Sequence, residues 1–112
     1  MNSKKIHMIS SVTEIKQILK KGNHISGKYL KFIYIKNKNI KPELLISVPK
    51  KKIRRAVDRN NIKRKIKAFY FKKKEQHNLN GKVIIIYNHL KPVKYIKLEK
   101  DILLFENLAF GI

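Results

Sequence analysis

The longest unbroken apolar run in this chain is Val83-Ile84-Ile85-Ile86-Tyr87, five residues bounded by Lys82 and Asn88. Four β-branched residues and a tyrosine in succession leave no polar face. The segment 82–88 therefore reads as a strand covered on both sides, at the centre of a layered fold. Five residues are far fewer than the ~20 that cross a bilayer. Other apolar runs, such as Ile102-Leu103-Leu104-Phe105, are shorter still. Residues 1–8 carry Lys4 and Lys5 but neither an apolar stretch nor a small-residue cleavage pattern, so a cytoplasmic location is expected.

Around that strand the remaining elements fall into order. Ser11 followed by Glu14 forms the pattern of a capping box, and Val12, Ile15, Ile18 and Leu19 recur at helical spacing until Lys21-Gly22. A short amphipathic helix over 12–21 is predicted. Lys28–Lys36 is dense in aromatic and branched residues and reads as a strand, with Leu30, Phe32 and Tyr34 on one face and Tyr29, Lys31, Ile33 and Ile35 on the other. After a polar turn, 37–42, Leu44–Val48 forms a second strand ended by Pro49, expected to pair antiparallel with the first. Residues 58–74 make a long helix, Asn78–Gly81 a turn, and 94–109 a last helix with Leu98, Ile102, Phe105 and Ala109 on one face. The order α-β-β-α-β-α predicts a single α+β domain over 1–112, an α/β sandwich whose small, mainly antiparallel sheet is packed by three helices.

Charge narrows the function. The chain has 28 Lys+Arg against 7 Asp+Glu, a formal net charge of +21 in 112 residues. A compact domain so charged repels itself, and a polyanion relieves that repulsion. A hydrophobic fraction of 43% still supplies a core, so this is not a disordered basic tail. The absence of cysteine excludes disulfides, thiol nucleophiles and cysteine-ligated metals.

The charge is concentrated. Residues 50–74 hold thirteen basic residues and one acid, Asp58, and all four arginines, Arg54, Arg55, Arg59 and Arg64, lie within eleven positions. Projected as a helix, Ile62, Ile66 and Phe69 form the stripe that faces the sheet. Arg59, Asn60, Lys63, Arg64 and Lys67 fall on a neighbouring exposed arc. A merely solvated helix face mixes both signs to gain i,i+4 pairs, and this one does not. Asp58 is placed to cap the helix start, where free backbone N–H groups add affinity for phosphate. The segment is predicted to bind nucleic acid.

The same residues resemble a known family. Ile46-Ser47-Val48-Pro49-Lys50-Lys51, followed by Ala56-Val57-Asp58-Arg59-Asn60-Asn61-Ile62-Lys63-Arg64, is similar to the signature of the bacterial ribonuclease P protein component, a strand ending in Ser-Val, then Lys-Lys, then Ala-Val-x-Arg-Asn-Arg-x-Lys-Arg. The Val-Pro-Lys-Lys form resembles versions from the Bacteroidetes lineage. The resemblance extends over about residues 8–109, through the helix ending in Lys21-Gly22 and the final strand and helix. It implies the small subunit of a ribonucleoprotein endonuclease that removes the 5′ leader from precursor tRNA. The implied partners are ribonuclease P RNA and precursor tRNA, with no membrane and no obligate protein partner. The resemblance also implies that the RNA is the catalyst and requires Mg2+, while the protein binds no cofactor and supplies no catalytic side chain.

Carried onto this sequence, it makes Arg59, Asn60, Lys63 and Arg64 the RNA contacts, with Lys50 and Lys51 beside them; the same basic segment adds Arg54, Arg55, Asn61 and Lys67 to the expected RNA-binding set. A cleft between sheet and helices would take the leader, with Lys28, Phe32 and Tyr34 expected to line it, since aromatic rings stack unpaired bases. The implied fold contains a left-handed βαβ crossover, against the general right-handed preference. The chain departs from the family at Asn61, the third position of the Arg-Asn-Arg motif, where the family has arginine, and at Ile15 and Leu19, where many relatives carry phenylalanine.

No catalytic constellation competes with this reading. His7, His24, His77 and His89 occur singly, no serine has a nucleophile-elbow context, and Glu99 and Asp101 stand two apart on a helix, facing different ways. A small ribosomal or ribosome-assembly protein is the alternative that shares the size and charge. It has no reason to keep the Ala-Val-x-Arg-Asn-x-x-Lys-Arg spacing after a Ser-Val strand end.

Overall fold

The computed structural model describes residues 7–74 and 80–111. Its elements are β1 (His7–Met8), α1 (Val12–Lys21), β2 (Asn23–Ser26), β3 (Leu30–Lys36), β4 (Glu43–Ser47), α2 (Ala56–Lys74), β5 (Gly81–Tyr87) and α3 (Tyr95–Phe110). Five strands form one mixed sheet in the order β1-β4-β5-β3-β2. β3 runs antiparallel to both β2 and β5, while β4 runs parallel to β5 and β1. The three expected helices and three expected strands are present, and β1 and β2 add one edge strand on each side. Of the turn predicted at Asn78–Gly81, residues 78 and 79 lie outside the described residues.

β5 occupies the centre, as its apolar run requires. That position corrects the expected pairing of β3 with β4. The short connection between them suits a hairpin, but β5 lies between the two, with Phe32 opposite Ile85 on one side and Ile46 opposite Ile85 on the other. β4, α2 and β5 thus form a βαβ unit whose two strands are parallel neighbours, and α2 is the crossover. Gly81 opens β5 with φ of +129°, a conformation that L side chains rarely adopt. A Cβ there would stand 2.2 Å from the carbonyl oxygen of Ile35.

The two faces of the sheet are covered unequally. On one, Leu30, Phe32, Tyr34, Leu44, Ile46, Val83, Ile85 and Tyr87 pack against Ile62, Ile66 and Phe69 of α2 and Leu98, Ile102, Phe105 and Ala109 of α3. On the other, the ten-residue α1 covers Ile33 and Ile84 with Ile18, and Ile9 closes the cluster. Ile35, Leu45 and Ile86 on this second face remain only half-buried. One helix cannot cover what two cover opposite it, so this side of the sheet is the thinner one.

The expected cap at α1 forms by half. Ser11 Oγ accepts from the backbone N–H of Glu14 at 3.3 Å. The Glu14 carboxylate does not return the bond but pairs with Lys82 Nζ on β5, tying α1 to the central strand. At α2 the helix starts at Ala56, two residues before the expected boundary, so Asp58 lies in the first turn instead of capping it. Its charge still complements the positive end of the helix dipole there.

The loop before β3 is held from α3. The buried carboxylate of Asp101 accepts three consecutive backbone N–H groups, from Lys28 at 3.2 Å, Tyr29 at 2.7 Å and Leu30 at 2.9 Å. Glycine at 27 leaves room for this carboxylate, because a Cβ would stand 2.6 Å from its carbon. The sequence separates these residues by more than seventy positions, and no local pattern links them.

Candidate nucleic-acid interface

α2 carries the basic face because its apolar stripe is fixed first. Ile62, Ile66 and Phe69 are buried against the sheet, which turns the remaining arc outward. Asn60, Lys63, Arg64, Lys65 and Lys67 are exposed on it, and Asn61 is half-buried. Residues three and four apart on a helix stand about 5–6 Å from one another, so Asn60, Lys63, Arg64 and Lys67 make a continuous cationic strip. The strip borders a groove of about 480 Å³ whose floor is Met8, Leu45 and Ile46 at the β1–β4 edge. Cations on one wall and apolar side chains on the floor suit a polyanion that also carries flat apolar groups. A nucleic-acid strand has both.

The loop before α2 continues the positive surface. Lys50, Lys51, Arg54 and Arg55 are exposed, and Ile53 is buried between them. The loop folds as a turn in which the N–H groups of Lys52 and Ile53 donate to the carbonyl oxygen of Pro49 at 2.9 and 3.1 Å. Arg55 lies 3.9 Å from the Asp58 carboxylate, an exposed pair of little energetic weight. A second cavity of about 490 Å³ opens between this loop and the β5–α3 connection, where Lys51, Arg54 and Arg55 face Leu90 and Pro92.

Arg59 differs from its neighbours. It is half-buried, and its Nη1 donates to the carbonyl oxygens of Ile53 at 3.0 Å and Arg54 at 2.6 Å. Arg64 donates from Nη2 to Asn61 Oδ1 at 2.6 Å. The structure therefore gathers the ten residues singled out around α2 on one connected surface, and commits Arg59 and Asn61 to contacts within it.

The three residues expected to line a leader cleft do not come together. Phe32 is fully buried and stacks on Phe105, with ring centroids 4.4 Å apart and an interplanar angle of 4°. Tyr34 is buried against the same ring at 5.4 Å, edge to face. Both belong to the face that α2 and α3 cover, because the largest rings fill the space beneath two helices. Only Lys28 is open, beside the Tyr29 ring and close to Lys97 and Lys100. The opposite face is the more open one, with Lys31, Leu45 and Ile86 half-buried and Leu19 exposed. The signal available was the lysine at 31, on the same strand face as Ile33 and Ile35. Among the described residues no three His, Cys, Asp or Glu side chains converge as a metal site.

A family model described as ribonuclease P matches residues 3–107. The chain belongs to the ribonuclease P protein family. A curated relative, the ribonuclease P protein component of Nitrosococcus oceani, is 33% identical over 73 residues, which are 65% of this chain and 60% of that protein. The chain thus matches less than two thirds of that relative's length. The solved RNase P protein of Staphylococcus aureus is 29% identical and superposes with a TM-score of 0.79, covering 94% of this chain and 96% of that one. The RNase P protein of Thermotoga maritima has a TM-score of 0.76 over 95% of this chain and 97% of its own, and at 20% identity it supports the fold alone. The basic crossover helix between the two parallel strands is therefore set in a ribonuclease P protein fold.

Proposed function

We propose that this chain is the protein subunit of ribonuclease P, binding the enzyme's RNA and assisting removal of the 5′ leader from precursor tRNA. The observation that carries the proposal is the cationic strip Asn60, Lys63, Arg64 and Lys67, continuous with the Lys50–Arg55 loop, within a chain of this family. Lys and Arg side chains so spaced neutralise phosphates and release counterions, which supplies affinity without chemistry of their own. Catalysis then rests with the RNA and its Mg2+, and this chain positions the substrate.

The leader-binding surface in this proposal is the thinly covered face on the α1 side of the sheet, around Lys31, Leu45 and Ile86, and not the buried Phe32 and Tyr34. Half-buried aliphatic side chains with a lysine among them offer an apolar bed and a counter-charge to an unpaired strand. Among the described residues no helix is long and apolar enough to cross a membrane. A working place in the cytoplasm, where precursor tRNA is processed, is part of the same proposal.

The test is cleavage of a 5′-extended precursor tRNA by ribonuclease P RNA from the same organism at low Mg2+, with and without the protein. Cleavage restored by the wild type and lost when Lys63, Arg64 and Lys67 are all replaced by alanine is the expected result. No stimulation, together with tight binding to ribosomal RNA, would overturn it in favour of a ribosomal role.

A further inference from the structure

Five basic residues, Lys50, Lys51, Lys52, Arg54 and Arg55, stand within six positions immediately before α2. Like charges so dense push one another apart, and a loop built from them needs an anchor to present them in one arrangement. Two anchors are visible. Ile53 is buried to 3% exposure, which holds the middle of the loop to the core. The second is Arg59, whose Nη1 uses both of its N–H groups on the carbonyl oxygens of Ile53 and Arg54. Those two carbonyls precede the helix and have no acceptor role within it, so a guanidinium reaching back one turn satisfies them.

From this geometry we infer that Arg59 is a positioning residue: it clasps the Lys50–Arg55 loop to the first turn of α2 and so fixes where Arg54 and Arg55 meet RNA. The inference rests on the RNA-binding function proposed above and assigns Arg59 a role different from that of the exposed cations beside it. A cation contacts phosphate best from an open tip. Arg59 is half-buried with its Nη1 engaged, while Lys63, Arg64 and Lys67 are exposed. Nη1 carries two N–H groups in the fixed plane of the guanidinium, one for each carbonyl, whereas a lysine ammonium sits on a shorter, flexible stem and is not held in that geometry.

The experiment compares Arg59→Lys and Arg59→Ala in the full chain, each alone and combined with Arg54→Ala and Arg55→Ala. Amide hydrogen exchange of the free protein is followed at Lys52 and Ile53. Binding to ribonuclease P RNA is measured across a salt series. Both Arg59 variants should speed exchange at Lys52 and Ile53 while leaving the amides of β5 protected. The charge-preserving Arg59→Lys should lose nearly as much RNA affinity as Arg59→Ala. In the background lacking Arg54 and Arg55, removing Arg59 should cause little further loss of affinity or salt slope.

Unchanged exchange in the loop would overturn the inference without reference to RNA. So would wild-type-like binding by Arg59→Lys with losses that add to those of Arg54 and Arg55, since a direct phosphate contact behaves in that way. Failure of the wild-type chain to bind the RNA would overturn the proposed function, and the inference with it. Binding with additive losses would overturn the inference alone.

Discussion

Arg64 donates from Nη2 to the Oδ1 of Asn61, 2.6 Å away and three residues earlier on the exposed face of α2. Asn61 occupies the motif position where the family pattern has an arginine. An amide there has no charge to offer a phosphate and gives a neighbouring guanidinium a fixed direction. The pair is exposed, so its weight in stability is small, and its effect lies in holding Arg64 ready for a contact.

Two substitutions separate those contributions. Asn61→Ala frees Arg64 and should weaken RNA binding by about two- to fivefold at constant salt slope, because no charge changes. Asn61→Arg adds a cation to the strip and should steepen the slope of log affinity against log salt by about 0.7–0.9. A binding series between low and moderate salt reads both. An unchanged slope for Asn61→Arg would show that the third motif position does not face phosphate.

On the open strip, Lys63→Ala and Lys67→Ala should each flatten the salt slope by about 0.7–0.9, and the double variant by about twice that, while thermal stability holds. Both side chains are exposed on the outer arc of α2. A slope that stays at the wild-type value for either variant would place that lysine outside the interface.

Asp101 is the buried polar group on which the entry to β3 depends. Its carboxylate receives the N–H groups of Lys28, Tyr29 and Leu30, and charge-assisted bonds of this kind are the stronger ones. Asp101→Ala strands three backbone donors and should lower the unfolding free energy by about 3–5 kcal/mol, with Asp101→Asn intermediate. Gly27→Ala should also destabilise, since its Cβ would press on the same carboxylate. Chemical denaturation measures all three. A loss below about 1 kcal/mol for Asp101→Ala would mean that water satisfies the three donors equally well.

How much of this was readable beforehand depended on the range of the signal. α1, the apolar stripe of α2 and the buried face of α3 are local periodicities of 3.6 residues, and they stand where the sequence places them. Strand order is not local. Residues 37–42 fit a hairpin turn equally well whether or not a later strand inserts between its arms, and β5 does insert. β2 offers Ile25 amid Asn23, His24 and Ser26, so a polar edge strand left no alternation to detect. The cationic arc of α2 was legible because the like charges crowded into residues 50–74 need no partner to be recognised. The clasp of Arg59 and the three bonds of Asp101 were not, since both end on backbone groups that sequence does not label.

The proposal that the α1 side of β3 meets the leader is open to direct trial. Phe32 is fully buried between the sheet and Phe105, so Phe32→Ala should cost about 3–5 kcal/mol and impair every function through unfolding. Ile66→Asp should act likewise, by placing an unpaired charge in the same core. On the opposite face, Lys31 and Ile86 are paired across β3 and β5 and are half-buried. Lys31→Ala and Ile86→Ala should each cost less than about 1.5 kcal/mol of stability. They should nevertheless reduce the preference for precursor tRNA bearing a leader over mature tRNA by about three- to tenfold, the size of one lost charge contact or one lost apolar contact. The measurement is the ratio of affinities for the two tRNAs in the presence of ribonuclease P RNA, alongside the melting curve of each variant. If Lys31→Ala and Ile86→Ala leave the ratio unchanged, the α1 side of the sheet is not where the leader lies.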